Sequence, residues 1–185
     1  RERDLPEGPD DRLTILPHRA FPPGTREPVR ESFRVDHPDI DGPSAAVISS
    51  EEARDVGADA YLLSDANGFV GHAAAFKDAI IRTREAIPAD TGLYLSGVAT
   101  PRNVATLVYA GVDLVDAKKA KLRGAEGFYL TNESERFLED LRELPCSCSA
   151  CQQPIEEFDQ RDCAEHNVNA LRTELRVVRE RIREG

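Results

Sequence analysis

Short apolar stretches alternate with longer amphipathic ones over the first two thirds of the chain. The segments 45–49 (AAVIS), 59–65 (DAYLLSD) and 92–97 (GLYLSG) have the length and residue types of buried β-strands. Residues 72–87 predict a helix with one apolar face, formed by Ala73, Phe76, Ile80 and Ile87. Strands that alternate with helices through short loops indicate a parallel sheet with right-handed crossovers.

The same reasoning predicts the other elements. Further strands are predicted at 13–17, 112–116 and 127–131. Further helices are predicted at 50–57, 101–111 and 133–144. Thr100 and Asn132 are the predicted N-caps of the last two helices. Pro101 would take the first helical position of one, and Glu135 would complete a capping box in the other.

This order of elements predicts an α/β fold with five or six strands. A closed (β/α)8 barrel of the TIM type needs eight strands, so we expect a partial barrel that lacks its N-terminal strands. An open doubly wound sheet would fit the same count. The chain starts at Arg1 and contains no methionine, so we expect it to be a piece of a longer protein.

The last predicted helix carries a narrow apolar seam, with spacings that alternate between three and four residues. Its members are Val168, Leu171, Leu175, Val178 and Ile182. Such a seam has to pack against another apolar surface. We expect that surface to be either the side of the barrel or a second copy of the chain, which would make a homodimer.

Composition indicates the cellular setting. A formal net charge of −10 would ordinarily argue against a nucleic-acid partner. However, basic residues that are mostly arginine, together with abundant Ala, Asp and Glu, are typical of a cytosol with molar salt, where the Debye length is about 3 Å. The sequence contains neither an apolar run of about 18–20 residues nor a basic-then-apolar leader. We therefore expect a cytoplasmic protein with no membrane partner.

Candidate catalytic groups lie where predicted strands end. Asp116 ends the strand 112–116 and Asp65 ends the strand 59–65, and chemistry gathers at the carboxyl ends of parallel strands. Either carboxylate could serve as a nucleophile or a base, and Asp113 is a further candidate. The alternative for each is capping of a turn.

Most of the lysines follow Asp116 directly. Three of the four fall within DAKKAKLRG, residues 116–124. The cations of this run would give the pocket mouth a positive rim suited to phosphates: Lys118, Lys119, Lys121 and Arg123. A solvated loop without a ligand is the alternative interpretation.

All four cysteines lie in one short window. Cys146, Cys148 and Cys151 can bring three thiolates to one ion, and zinc takes four thiolate or imidazole ligands in a tetrahedron. The fourth ligand would be His166 or Cys163. Disulfides are disfavoured in a chain without a secretory signal. Four protein ligands leave no position for a substrate, so we expect structural Zn²⁺.

These features divide the chain into three parts. Residues 1–11 are an irregular N-terminal segment, 12–131 the barrel portion, and 132–185 a helical zinc-binding subdomain.

Residues 97–131 and 144–185 resemble the archaeal tRNA-guanine transglycosylase superfamily, and within it the archaeosine synthase branch. The resemblance extends over about 12–185. It implies a (β/α) barrel with a zinc subdomain whose ligands would be Cys146, Cys148, Cys151 and His166. It also makes Asp116 the counterpart of the nucleophile that ends the family's G-[VA]-D-x-F-D strand. The family's second aspartate, in a DSGG/S-F-Q motif, has only a loose echo in LSDANGF (63–69), at Asp65.

The resemblance implies a role in tRNA modification. Members of the archaeosine synthase branch keep the barrel, lose base exchange, and add nitrogen to the nitrile of 7-cyano-7-deazaguanine at position 15 of tRNA. One alternative is an active tRNA-guanine(15) transglycosylase that uses Asp116 as its nucleophile. Another is a non-catalytic, zinc-stabilised module that docks tRNA or dimerises through its last helix.

Overall fold

The computed structural model describes residues 14–16, 42–51, 53–69 and 71–185. The predicted irregular segment 1–11 lies outside these residues, as do both ends of the predicted strand 13–17. A parallel sheet contains five short strands: β1 (Thr14–Ile15), β2 (Ser44–Ile48), β3 (Ala60–Leu63), β4 (Gly92–Leu95) and β5 (Leu114–Val115).

The sheet order follows the chain order, β1-β2-β3-β4-β5. All four pairings are parallel, with Tyr61 opposite Leu93 and Tyr94 opposite Leu114. Two helices connect these strands, α1 (Ala73–Ala86) between β3 and β4 and α2 (Val104–Tyr109) between β4 and β5. Sequential parallel strands with helical connections form half of a barrel, as predicted.

The core lies between this sheet and its helices. Tyr61, Leu63, Leu93 and Leu95 of the sheet are 0–2% exposed and pack with the helices in a single cluster. The predicted apolar face of α1 is buried at Ile80, while Ala73 at the start of the helix is exposed. Burial of these aliphatic and aromatic side chains is the main driving force that holds the helices against the strands.

The predicted helix at 50–57 is wrong for the described residues of that segment, which form no helix. Local hydrogen bonds replace the helical ones. The Asp55 carboxylate accepts from the Gly57 N–H and from the Tyr61 hydroxyl, and the same hydroxyl accepts from the Val56 N–H. Side chains that bond nearby backbone groups compete with the helix in this way.

The predicted helix at 133–144 is also wrong. The predicted strand at 127–131 does form, as β6 (Phe128–Leu130), but it pairs antiparallel with β7 (Glu135–Phe137) in a separate two-stranded sheet. Thr131 and Ser134 close the hairpin with reciprocal hydrogen bonds, and Phe128 and Phe137 pack across it with ring centroids 4.3 Å apart. Cross-strand aromatic contacts of this kind stabilise a hairpin.

The second connecting helix begins later than predicted. Asn103 precedes its first residue, Val104, and Thr100 lies in the turn before it. The Asn103 side chain accepts from the Thr100 N–H and donates to the Val98 carbonyl, so Asn103 organises this turn. Gly111 follows the helix with φ +100°, which only glycine adopts readily, and so marks its end as predicted.

The lysine run forms a helix, α3 (Lys118–Ala125), which the sequence pattern did not predict. The last helix, α4 (Gln160–Glu184), starts with a capping box between Asp159 and Asp162. Leu171 in the α4 seam packs into the main core, and Leu175 packs against it, so the seam contacts the barrel side of its own chain. Among the described residues, no helix has the length and apolar character to cross a membrane.

Candidate metal centre and strand-end pocket

Three sulfur atoms and one imidazole nitrogen converge where the cysteine loop meets α4. The ligand atoms of Cys146, Cys148, Cys151 and His166 all lie within 4.8 Å of one another. The Cys148 and Cys151 Sγ atoms are 3.7 Å apart, and His166 Nδ1 lies 3.5 and 3.4 Å from them. A short 3-10 turn, Ser149–Cys151, brings the second and third thiols round to the same side.

These spacings fit a tetrahedral zinc ion. Zn–S bonds of about 2.3 Å place two thiolates of a tetrahedron about 3.8 Å apart, and the shorter Zn–N bond brings imidazole nitrogen slightly closer. The distances among Cys148, Cys151 and His166 match that geometry. All four cysteines are free thiols, so disulfides do not account for the cluster. Together, the side chains of Cys146, Cys148, Cys151 and His166 can hold one metal ion.

His166 is oriented by groups on the opposite side of its ring. Its Nε2 lies 3.0 Å from the Leu130 carbonyl oxygen, and the side chain is 1% exposed. The Tyr129 ring stacks on the imidazole with centroids 3.7 Å apart and an angle of 11° between the planes. An Nε2–H bonded to a carbonyl leaves Nδ1 free to bind a metal, the arrangement usual for ligating histidines.

Burial shifts the titration of three of these ligands, Cys146, Cys151 and His166, toward their neutral forms. It raises the pKa of the Cys151 thiol to about 12 and lowers the pKa of His166. A neutral imidazole is the form that binds metal, whereas a thiol has to release its proton to solvent when the cation binds. Metal binding here therefore releases protons.

Cys163 does not join the cluster. It is fully buried and packs with Tyr129 and Phe158, and burial raises the pKa of its thiol to about 11. Of the two candidates for the fourth ligand, the structure therefore brings His166 to the three thiols.

The Asp116 carboxylate lies at the carboxyl end of β5 and accepts four hydrogen bonds. Oδ2 accepts from the Ser96 hydroxyl (2.7 Å) and the Tyr94 hydroxyl (2.9 Å). Oδ1 accepts from the backbone N–H groups of Gly97 and Lys118, both at 3.0 Å. A carboxylate offers about four lone-pair sites, so these donors occupy all of them.

The same donors keep Asp116 ionised. Its side chain is 19% exposed, and burial by itself would raise its pKa. The hydrogen bonds from Ser96, the Lys118 N–H, Tyr94 and Gly97 outweigh burial and hold the pKa of Asp116 below its usual value. The site therefore presents a fixed negative charge.

Lys118 brings a positive charge to this carboxylate. Its Nζ donates to the Ser96 hydroxyl oxygen over 3.0 Å and lies 3.6 Å from Asp116 Oδ2, while 73% of its side chain is exposed. Lys121 is also exposed, whereas Lys119 is partly buried. Arg123 lies over the Phe128 ring and pairs with Glu126 and Glu135, so its charge is already compensated within the chain.

The other two aspartates bind neighbouring strands. Asp65 accepts from the N–H and hydroxyl of Ser50, which follows the adjacent strand β2. Asp113 precedes β5 at the opposite end from Asp116, where it accepts from the Leu93 N–H and from Arg84. Asp113 is therefore separated from the carboxyl-end pocket by the length of β5.

Sequence reasoning missed three residues of these sites. Tyr94 and Ser96 alternate along β4, and both reach Asp116 on the adjacent strand. Tyr94 and Ser96 are two residues apart in the sequence, and residues at that spacing lie on the same face of an extended chain, so the pair could have been recognised. Asn167 follows His166 and is fully buried with three hydrogen bonds, and its place beside a predicted ligand is the one signal that could have pointed to it.

A half barrel joined to a cluster of three cysteines and one histidine is the architecture that the sequence resemblance implied. The chain belongs to the queuine tRNA-ribosyltransferase family, whose sequence model matches residues 44–185.

Three relatives show which members of this family the chain resembles. The chain is 64% identical to the archaeosine synthase of Haloferax volcanii over 184 residues, which is 100% of this chain and 32% of that protein. It is 32% identical to archaeosine synthase subunit alpha of Methanosarcina acetivorans, over 94% of this chain and 30% of that protein. It is also 32% identical to a tRNA-guanine(15) transglycosylase of Haloferax volcanii, over 58% of this chain and 22% of that protein. The chain thus spans about a third or less of the length of these curated relatives.

Proposed function

We propose that this chain is the transglycosylase-like domain of an archaeosine synthase, and that it acts on 7-cyano-7-deazaguanine at position 15 of tRNA. The observation that carries the proposal is the 64% identity to an archaeosine synthase over the full chain. The two archaeosine synthases match 100% and 94% of this chain, whereas the transglycosylase matches 58% of it. On this proposal the enzyme is a tRNA-modifying transferase.

The geometry of Asp116 supports modification in preference to base exchange. A nucleophilic carboxylate needs a lone pair directed at the carbon it attacks. All four lone-pair sites of Asp116 already accept hydrogen bonds, from Tyr94, Ser96, Gly97 and Lys118. We assign Asp116 the role of an anchored counter-charge that holds these donors in place. Asp65 likewise anchors a neighbour, because it accepts from the N–H and the hydroxyl of Ser50 at the end of β2.

The cationic face of α3 is the proposed contact with tRNA phosphates. Ala120 and Gly124 bury one side of α3, which leaves Lys118 and Lys121 on its exposed side. Lys119 and Arg123 lie toward the buried side and would contribute less. The site formed by the three cysteines and His166 is proposed to hold structural Zn²⁺, because all four tetrahedral positions would be filled by protein.

The test compares two activities on the metal-loaded protein that contains this chain. Conversion of a tRNA transcript bearing 7-cyano-7-deazaguanine, with a panel of amine compounds supplied as nitrogen donors, is followed by mass spectrometry of its nucleosides. Base exchange is followed by incorporation of labelled guanine. We expect a change in the mass of the modified nucleoside, with no incorporation of guanine in the wild type.

Incorporation of guanine that Asp116→Asn abolishes would instead establish the transglycosylase alternative. Asp113→Asn is the matched control, because Asp113 lies at the other end of the same strand and bonds only groups of the scaffold. Binding of tRNA without either reaction would identify a docking module.

A further inference from the structure

We propose that Asn167 is a positioning residue that couples the metal centre to the Asp116–Lys118 pocket through α3. The inference goes beyond the proposed function, and its consequence for tRNA binding rests on that function. It derives from two consecutive residues of α4, His166 and Asn167, both 0–1% exposed. One faces the thiols, and the other bonds α3 and β6.

Asn167 uses both N–H donors of its amide and one lone pair of its Oδ1. Oδ1 accepts from the Leu130 N–H over 2.8 Å. Nδ2 donates to the Phe128 carbonyl over 2.8 Å and to the Ala120 carbonyl over 3.0 Å. One side chain therefore links three segments. A carboxylate of the same shape could not donate to these two carbonyls, and an apolar side chain would leave three buried peptide groups without partners.

His166 of the metal centre and this amide bond the two backbone groups of the same β6 residue, Leu130. Leu130 donates its N–H to Asn167 and lies with its carbonyl oxygen 3.0 Å from His166 Nε2. A rotation of His166 away from the thiols would therefore act on the backbone of Leu130, and through it on the hydrogen bond from the Leu130 N–H to Asn167. Loss of the metal removes the contact on the Nδ1 side of His166 and leaves the Leu130 carbonyl and the Tyr129 ring to hold it.

Helices α3 and α4 pack so closely that a displacement of α4 near His166 would also displace α3. A Cβ added at Gly124 would lie 2.3 Å from Ala164 Cα, and Ala120 one turn earlier is fully buried. The helix that Asn167 holds at Ala120 begins at Lys118. The backbone N–H and the ammonium of Lys118 are in turn the groups that meet Asp116 and Ser96. A change at the metal centre would therefore reach the pocket through the position of α3.

The test measures amide hydrogen exchange in the metal-loaded full chain, where slow exchange reports a held backbone. Asn167→Asp has the size of the original but cannot donate. We expect it to retain one metal ion per chain. The amides of residues 118–125 should exchange at least tenfold faster than in the wild type. Removing the metal from the wild type should produce the same loss in that segment. Metal removal in Asn167→Asp should then add little, because both changes break the same connection.

Additive effects of the substitution and the metal removal would overturn the proposal, as would unchanged protection of residues 118–125 in the substituted protein. Asn169→Ala is the matched control, because Asn169 lies on the same helix and its side chain forms one hydrogen bond, from Nδ2 to the Ser149 hydroxyl oxygen over 3.3 Å. Should Asn167→Asp fail to fold, Asn167→Ser retains one donor and should show a partial, still non-additive loss. These exchange readouts contain no RNA, so they stand or fall separately from the proposed function.

Discussion

Tyr129 lies flat on the His166 imidazole, and its hydroxyl is 3.5 Å from the Cys151 sulfur. One aromatic side chain therefore touches two of the four ligands of the candidate metal centre. Tyr129 is itself 1% exposed and packs with Phe158 and Cys163 in a small apolar cluster separate from the barrel core. The metal centre is built on this second cluster.

Tyr129 should tune the affinity for zinc. We expect Tyr129→Leu to lower the affinity by about tenfold or more, because groups behind metal ligands typically contribute that much. Tyr129→Phe retains the stacked ring and should change the affinity less. Competition with a chromophoric chelator measures both. Phe158→Leu alters the same cluster without touching a ligand, and a loss in that variant equal to the loss in Tyr129→Leu would contradict the assignment.

Each of the four ligands should be required for metal binding, and Cys163 should be dispensable. We expect Cys148→Ser and His166→Ala to lose the ion and to unfold at lower temperature, because metal binding contributes directly to folding at sites of this kind. Cys163→Ala should retain one ion per chain and lose only about 1–2 kcal/mol of stability through the small cavity it creates. Elemental analysis and thermal unfolding report the two effects. A metal-free Cys163→Ala protein would mean that the ligand set is different.

Asp116 should stabilise the fold at neutral pH and lose that effect in acid. Hydrogen bonds hold its pKa below the ordinary value of an aspartate, so the unfolded chain takes up a proton before the folded chain does. Its contribution is complete above the unfolded pKa and disappears as the pH falls through the folded pKa. Asp116→Asn should cost about 2 kcal/mol at pH 7, because an amide cannot accept four hydrogen bonds.

Urea unfolding of the wild type and Asp116→Asn between pH 7 and pH 3 measures this contribution (the pH limits are roughly those within which an aspartate titrates). The gap between the two proteins should stay constant down to about pH 5 and shrink below it. A gap that widens in acid would show that the Asp116 carboxyl is stabilised in its protonated form.

Lys118 and Lys121 should contribute to tRNA binding through charge. Replacing both by alanine should weaken binding and reduce the slope of log K against log salt by about 0.7–0.9 for each phosphate that is no longer neutralised. Lys77→Ala is the matched control, since Lys77 is an exposed lysine on α1 that pairs with Asp78. Filter binding over a range of salt concentrations measures the slopes. Equal slopes for the double variant and the wild type would remove α3 from the RNA interface.

Gly124 should tolerate no side chain. Gly124→Ala places a Cβ 2.4 Å from the Ala164 backbone nitrogen, where backbone rather than a flexible side chain has to move. We expect a loss of about 3 kcal/mol or more, at the upper end of the range for overpacking. Chemical denaturation measures it. Gly68→Ala, whose added Cβ meets nothing within 4 Å, is the control and should stay near wild-type stability.

The alternation of apolar and polar residues determined most of the barrel portion. Strands β2, β3 and β4 and helix α1 lie where the pattern predicts them. Short apolar runs mark the strands of a buried parallel sheet, and a longer amphipathic stretch marks the helix. The errors fall where side chains bond the backbone. The Asp55–Tyr61 pair replaces one predicted helix, and the Thr131–Ser134 turn replaces another with a hairpin. Such bonds depend on partners that a periodicity does not contain.

The sequence by itself determined that Cys146, Cys148 and Cys151 would share a site, because five intervening peptide bonds leave their sulfurs few other places to go. The choice of His166 over Cys163 was decided by tertiary structure. The two residues lie three apart on α4, and the packing of that helix on α3 and β6 directs one to the thiols and the other into an apolar cluster. Tertiary structure also made Asp116 a saturated hydrogen-bond acceptor. Three of its four donors come from β4 and the residues directly after it, the fourth comes from the start of α3, and only the parallel pairing of β4 with β5 brings the first three to Asp116.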